Sequence, residues 1–166
     1  MTARRAIAAA SALAIAAPAA AEPFVDADLR VTVAFGDGWR RDGVARRWRQ
    51  SATGQAAAIV RLDVDGAAAR RDPRRAFARV VAGARATAPG YRELRRRIGR
   101  EGRIPRLDLW YRYDAPGGDR PVVALRVLWF RRYAVVLVVD TPAARFRAQR
   151  RAVRALLRSF RPWWPN

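Results

Sequence analysis

The stretch PVVALRVLWFRRYAVVLVVD, from Pro121 to Asp140, is the most apolar run of the sequence and decides its fold. Arg126, Arg131 and Arg132 interrupt the run, and a charge at bilayer depth costs about 2.5–3.5 kcal/mol, so the stretch is not typical of a membrane span. Its valines and aromatic residues favour extended chain over helix. We therefore predict a central β-hairpin that reverses at Arg131-Arg132 and is buried on much of both faces.

The sequence before this hairpin predicts three strands and one helix. Asp28–Phe35 alternates apolar and polar side chains, and Val44–Ala52 and Ala56–Val64 are two more strands, so the three form a meander. The helix begins at Asp72, a good N-cap, followed by a proline that the first helical position tolerates, and it ends before Gly90. Its apolar face consists of Phe77, Val80, Val81, Ala84 and Ala88.

Four strands and a second helix complete the predicted fold. Tyr91–Ile98 suits either a helical turn or a polar edge strand, and we predict a strand. Arg106–Asp114 alternates, and we expect the face with Asp108 and Trp110 to be solvated. After the hairpin, Thr141 is the expected N-cap of the last helix. The apolar stripe of that helix consists of Phe146, Val153, Leu156, Leu157 and Phe160.

The fold class that follows is α+β, an antiparallel sheet of about six to seven strands flanked by two main helices. In sequence, the elements run βββ-α-ββββ-α.

The N-terminus has the three parts of a secretory signal peptide. Arg4 and Arg5 form a basic segment, Ala6–Ala17 is apolar, and small residues precede Glu22. We predict a signal peptide over residues 1–21, cleaved near Ala21, and a single domain over residues 22–166 without a transmembrane segment. The mature protein is then periplasmic or secreted.

The charge of the chain is strongly one-sided. All 34 basic residues are arginines, against 14 acidic residues, and the formal net charge is +20, of which the signal peptide removes two charges. Such an excess attracts phosphates, anionic lipid head groups or acidic proteins. A GC-rich genome offers another explanation for the absence of lysine, although it does not explain the imbalance of sign.

The missing residue types exclude several kinds of chemistry. The sequence has no histidine and no cysteine, which excludes Ser-His-Asp and Cys-His catalysis, the usual zinc sites and the common haem ligands. A hydrolase that uses paired carboxylates stays open as a lesser alternative, with Asp63, Asp65 and Asp108 as candidates. Among so many arginines, however, each acid is expected to be an ion-pair partner. We expect no catalytic residue, no cofactor and no metal site.

Two binding hypotheses remain. The first, which we predict, is a non-enzymatic accessory protein that binds a protein partner in the cell envelope. The other is electrostatic binding of anionic lipid, lipopolysaccharide or another polyanion, and export argues against a transcription-type role with nucleic acid. The candidate anion-binding residues are Arg147, Arg150, Arg151, Arg154 and Arg158, with Arg95, Arg96 and Arg97 adding charge. Trp163 and Trp164 are candidate interface aromatics, unless they cap the core.

The order of the predicted elements, together with three short sequence segments, resembles the PsbP/DcrB/Mog-type fold. The segments are VTVAFGDGW at Val31–Trp39, LDLWYRY at Leu107–Tyr113 and LLRSFRP at Leu156–Pro162. One departure is the reversal at Arg131-Arg132, where glycine or a longer loop is expected. The resemblance covers about Leu29 to Pro162, and it implies a non-enzymatic accessory or binding protein by analogy of fold.

Overall fold

The structure, a computed structural model, describes residues 22–43, 46–64 and 70–164. Before the first helix lie five strands: β1 (Phe24–Asp26), β2 (Val31–Val33), β3 (Trp39–Arg41), β4 (Arg47–Gln50) and β5 (Gln55–Asp63). Then follow α1 (Pro73–Thr87), β6 (Arg92–Glu101), β7 (Ile104–Arg112), β8 (Val122–Trp129), β9 (Tyr133–Thr141), α2 (Ala143–Ser159) and β10 (Arg161–Pro162). The predicted signal peptide lies outside the described residues.

The described strands form two antiparallel sheets. The larger sheet has seven strands in the order β3-β4-β5-β9-β8-β7-β6, and the smaller has the order β1-β2-β10. The α+β class and the two flanking helices are confirmed, with extra short strands. None of the described helices is long and apolar enough to cross a membrane.

The central hairpin is β8 and β9, as predicted. Trp129 pairs with Ala134, and the Phe130 N–H donates to the Tyr133 carbonyl at 2.8 Å, so Arg131 and Arg132 occupy the tip of the turn. Every residue of β8 is buried. A strand in the middle of a sheet with a layer on each face is apolar along its whole length, which explains the continuous run.

Each face of the large sheet is covered by a different layer. On one face α2 and the small sheet pack in a single core, with Val153, Leu157 and Phe160 of the C-terminal region among its most buried side chains. On the other face α1 packs through Phe77 and Val81 against β7 and β8. The prediction of one apolar stripe on each helix is confirmed.

Three local predictions need correction. β2 does not belong to the large sheet, because it pairs with β1 and β10, and the meander consists of β3, β4 and β5. Thr141 does not cap α2, since its hydroxyl accepts a hydrogen bond from the Gln55 amide and the N-cap is Pro142. The face of β7 with Asp108 and Trp110 is buried, because it lies in the sheet on the side that α2 covers.

Other local predictions hold. Asp72 caps α1 by accepting from the Arg75 N–H at 3.0 Å. Of the segment Tyr91–Ile98, residues 92–98 belong to β6, which is an edge strand of the large sheet. The alternating apolar residues of Asp28–Phe35, which are Leu29, Val31, Val33 and Phe35, are all buried, although only Val31–Val33 form β2.

Candidate anion-binding site

Four of the predicted anion-binding arginines come together where α2 crosses the edge of the large sheet. Arg150, Arg154 and Arg158 recur every four residues, so they lie on one face of α2. Arg95 of β6 lies opposite Trp110 of β7, and opposite residues of an antiparallel pair share a face of the sheet. We call these four residues the arginine cluster.

Trp110 fixes the position of α2 over this edge. Its ring makes a T-shaped contact with Phe146 at 5.7 Å between centroids, and the Arg154 guanidinium lies 5.9 Å from the Trp110 ring centroid. Tryptophan attracts a cation placed over its face. This role of Trp110 was not predicted from the sequence, although the alternation of β7 places Trp110 on the same face as Asp108.

The cluster is electrostatically unfavourable by itself. Repulsion by the Arg150 guanidinium, with smaller contributions from desolvation, Arg95 and Arg158, lowers the pKa of Arg154. Arginine nevertheless remains charged at physiological pH. In the described part of the chain, none of the four cluster residues has a carboxylate within 4 Å. A bound anion would therefore relieve repulsion that the described residues leave uncompensated.

The other predicted arginines are arranged differently. Arg147 and Arg151 are exposed on α2 one row away from the cluster. Arg97 is exposed on the same side of β6 as Arg95, opposite Asp108. Arg96 lies opposite Leu109, on the α1 side of the sheet, and pairs with Glu93 at 2.5 Å.

The two C-terminal tryptophans have unequal surroundings. Trp163 is half-buried, and its backbone N–H donates to the Arg30 carbonyl at 2.9 Å. Trp164 is 55% exposed, with its ring edge-on to Phe130 at 6.2 Å and the Arg30 guanidinium 5.8 Å above it. Of the pair, Trp164 offers the larger surface to a ligand.

Most acidic side chains pair with arginines, as the sequence predicts. Among the candidates for carboxylate chemistry, which also include Glu93 and Glu101 because they lie near arginines in the sequence, Asp63 pairs with Arg61 at 2.9 Å, whereas Asp65 lies outside the described residues. Further pairs are Asp26–Arg46, Asp42–Arg49, Glu93–Arg96, Glu101–Arg106 and Asp114–Arg120. No group of three or more metal-binding side chains occurs among the described residues.

Asp108 belongs to a buried ionic network on the α2 side of the sheet. Its two oxygens accept from Arg126 Nε at 2.6 Å and from Arg126 Nη2 at 3.2 Å. Arg106 Nε lies 3.4 Å from Asp108, and Arg106 Nη1 donates to Glu101 at 2.8 Å. Two arginines and two carboxylates balance each other, and the network links three neighbouring strands, β6, β7 and β8.

Asp140 is half-buried at the end of β9, and it has no arginine within 4 Å among the described residues. The Tyr113 hydroxyl donates to its Oδ2 at 3.3 Å. Desolvation raises the pKa of Asp140 more than the hydrogen bond from Tyr113 lowers it. Burial likewise raises the pKa of the neighbouring Tyr111 to about 12.

The raised pKa of Asp140 predicts a pH-dependent effect of Asp140→Asn. A carboxyl whose pKa is higher in the folded than in the unfolded state contributes stability at low pH, and this contribution is lost as pH rises through the folded-state pKa. The asparagine variant is therefore expected to melt at a higher temperature than the wild type at pH 7. Its advantage should vanish towards pH 3.

Thermal unfolding followed by circular dichroism between pH 3 and pH 7 measures this difference. Asp37→Asn, which changes an exposed aspartate in a turn, is the matched control. A variant that is less stable than the wild type at pH 7 would show that the charge of Asp140 stabilises the fold.

Several solved structures have a similar fold, including the following three. Protein PA94 of unknown function from Pseudomonas aeruginosa has a TM-score of 0.61 and 15% identity, and the match covers 87% of this chain and 98% of that one. For PsbP (CyanoP) from Synechocystis sp. PCC 6803, the TM-score is 0.58 and the identity 11%, with coverage of 95% and 99%. LpqN from Mycobacterium tuberculosis, which is involved in cell envelope biogenesis, has a TM-score of 0.60 and 13% identity. The match covers 84% of this chain and 88% of LpqN.

These likenesses show that the chain has a PsbP-like fold, as the sequence resemblance implied. No protein-family model matches the sequence, and no curated protein matches it. At such low identities the likeness concerns the fold, and a function has to be argued from the site itself.

Proposed function

We propose that this chain is an exported, non-enzymatic binding protein of the bacterial cell envelope, and that its arginine cluster binds phosphate groups of anionic envelope lipids. The main support for this proposal is that Arg95 lies close to Arg150, Arg154 and Arg158. Repulsion from the three neighbouring arginines lowers the pKa of Arg154. Guanidinium groups suit phosphate because their planar donors form paired hydrogen bonds with its oxygens.

Two further observations support this proposal. The N-terminal pattern of a signal peptide predicts export, which directs the positive charge towards the envelope rather than towards nucleic acid. LpqN, which shares the fold, is a protein of cell envelope biogenesis. Binding of an envelope protein partner, the first hypothesis from the sequence, is the second candidate here, because the uncompensated arginines favour an anionic surface.

The experiment compares two double variants that remove equal charge from the same helix. Arg150→Gln/Arg154→Gln disrupts the cluster, whereas Arg147→Gln/Arg151→Gln removes two exposed arginines outside it. Binding of the purified protein to phosphatidylglycerol vesicles and to phosphatidylcholine vesicles is measured by co-sedimentation over a salt series.

We expect the cluster variant to bind phosphatidylglycerol vesicles roughly tenfold or more weakly than the wild type, because each arginine near an anionic surface contributes to affinity. The control variant should lose roughly twofold at most. Wild-type binding should fall steeply with salt, since bound phosphates release counterions. If both double variants lose the same affinity for the vesicles, the cluster is not a specific site and only the overall positive charge of the helix matters. If the wild type does not bind the vesicles even at low salt, a protein partner is favoured instead.

A further inference from the structure

A groove of about 890 Å³ lies on the other side of the large sheet from the arginine cluster. α1 packs through Phe77 and Val81 on β7 and β8, and it leaves part of the face formed by β5 and β9 uncovered. Val60 of β5 is consequently 42% exposed, although it lies in the sheet. The volume falls within the range of about 300–1,000 Å³ that is usual for small-molecule sites.

The floor and the inner wall of the groove are almost entirely aliphatic. The sheet contributes Val60, Leu62, Val136 and Val138, and α1 contributes Ala76, Val80 and Ala84. The lining residues of α1 recur every three or four positions along its 15 residues, a length of about 22 Å. The groove therefore offers a long apolar surface.

The charge along this groove is asymmetric. Near the start of α1 it is lined by Arg71, Arg75, Arg79 and the carboxylate of Asp72, whereas the lining residues of the second half of α1, such as Gly83 and Thr87, are uncharged. Arg61 and Asp63 also line the groove, but they pair with each other at 2.9 Å. Neither the Arg75 nor the Arg79 guanidinium has a carboxylate within 4 Å among the described residues, and the Asp72 carboxylate accepts from the Arg75 backbone N–H at 3.0 Å. One end thus has a net positive charge, three arginines against the Asp72 carboxylate, and the other end is neutral.

The floor offers little to a peptide. A peptide strand gains affinity from backbone hydrogen bonds at a sheet edge. β5 pairs with β9 from Ala56 to Asp63, but β4 covers its other side only from Gln55 to Ala58, so residues 60–63 have no second strand partner among the described residues. A peptide strand would bind at that unpaired edge, whereas the floor of the groove presents side chains, which suit an alkyl chain because it needs no hydrogen bond.

We propose that this groove binds a single-chain fatty acid, with the carboxylate at Arg75 and Arg79 and the alkyl chain along the valines of β5 and β9. The polarity of the groove matches this ligand, since a cationic end meets the carboxylate and an aliphatic floor meets the chain. This inference does not rest on the proposed function, because the arginine cluster lies on the opposite side of the sheet.

Trp129 supplies a second feature of the lining. Its side chain is buried in a T-shaped contact with Phe77 at 4.9 Å, and its indole Nε1 has no hydrogen-bond acceptor among the described residues. A buried donor without an acceptor costs free energy. An oxygen of a ligand that reached this group would relieve the cost.

The test measures displacement of a fluorescent fatty acid from the purified protein by palmitate, below the concentration at which palmitate forms micelles. Hexadecyltrimethylammonium has a chain of the same length and a cationic head, so it is the control ligand for charge. We expect palmitate to displace the probe and the cationic control to compete at least tenfold more weakly.

Gly83→Phe tests the position of the alkyl chain. Gly83 lines the groove, and a Cβ atom added there meets no atom within 4 Å, so a larger side chain fills the groove without a clash at its base. Phenylalanine also has a higher helix propensity than glycine. Ala82→Phe, at an exposed neighbouring position that does not line the groove, is the matched control.

The carboxylate position is tested with Arg75→Gln/Arg79→Gln against Arg74→Gln/Arg85→Gln, two exposed arginines of the same helix that do not line the groove. We expect at least a tenfold loss of palmitate affinity for Gly83→Phe and for the first double variant, and roughly none for the controls. Arg150→Gln/Arg154→Gln should bind palmitate like the wild type, which separates this site from the arginine cluster.

Three results would overturn the fatty-acid site. They are no displacement by palmitate, equal affinity of Gly83→Phe and the wild type, and equal competition by the cationic ligand. Sedimentation velocity adds a fourth, because a wild-type dimer that Gly83→Phe dissociates would identify a second copy of the chain as the occupant.

Discussion

Replacing Asp108 with alanine is expected to lower the free energy of unfolding by about 3–5 kcal/mol. The Arg126 side chain, 6% exposed, depends on Asp108 for two hydrogen bonds, and after the substitution its nearest remaining carboxylate is Glu101 at 3.8 Å. A buried guanidinium that loses its partner keeps the cost of desolvation without the attraction that offset it. Urea unfolding followed by circular dichroism measures the change.

Two control variants separate the effect of burying Arg126 from the effect of losing an ion pair as such. Asp63→Ala breaks an exposed ion pair with Arg61 on the same sheet and should cost about 1 kcal/mol or less. Asp108→Leu/Arg126→Leu removes both buried charges and leaves the Arg106–Glu101 pair balanced, so it should recover much of the loss. If Asp108→Ala costs no more than Asp63→Ala, Arg126 is solvated in solution and the network is not a stabilising element.

The second large effect is expected from Phe77→Ala, with a loss of about 3–5 kcal/mol. Phe77 is 1% exposed, and Phe77 and Val81 are the only buried residues of α1. The layer on this face of the sheet therefore depends on few contacts. Truncation removes the T-shaped contact with Trp129 and leaves a cavity that the sheet cannot close.

Phe146→Ala is the matched control for Phe77→Ala. Phe146 also lies on a helix and makes a T-shaped contact with a tryptophan of the sheet, Trp110, but it is only half-buried. Its truncation should cost clearly less than that of Phe77. Equal losses for the two variants would mean that the aromatic contact, rather than full burial, determines the stability of each helix on the sheet.

Much of the fold was predictable because local patterns and the final environment agree. The run from Pro121 to Asp140 is apolar because β8 is buried on both faces, so its composition alone indicates a central hairpin. Asp72 and Pro73 specify the start of α1 through groups that act within one turn. Thr141 was misjudged because a partner far away in sequence, Gln55, takes its hydroxyl.

The site was predictable only in part. The sequence identified the arginines of α2, since helical spacing places Arg150, Arg154 and Arg158 on one face. It did not separate Arg95 from Arg96, because the side of the sheet that each residue faces depends on the register of β6 with β7 and on the irregularity between Glu93 and Arg95. Register is a property of strand pairing, and neighbouring residues in the sequence do not fix it.

The sequence by itself determined which chemistry is available: no histidine, no cysteine, a large excess of arginine and an N-terminal pattern of export. These properties follow from composition and local order, so no contact is needed to establish them. The tertiary structure alone decided that Asp108 neutralises Arg126, that four arginines meet without a counter-ion among the described residues, and that α1 leaves an apolar groove beside β5. Each of these depends on the placement of segments distant in the chain, because electrostatic and packing energies fall off with distance in space and not along the sequence.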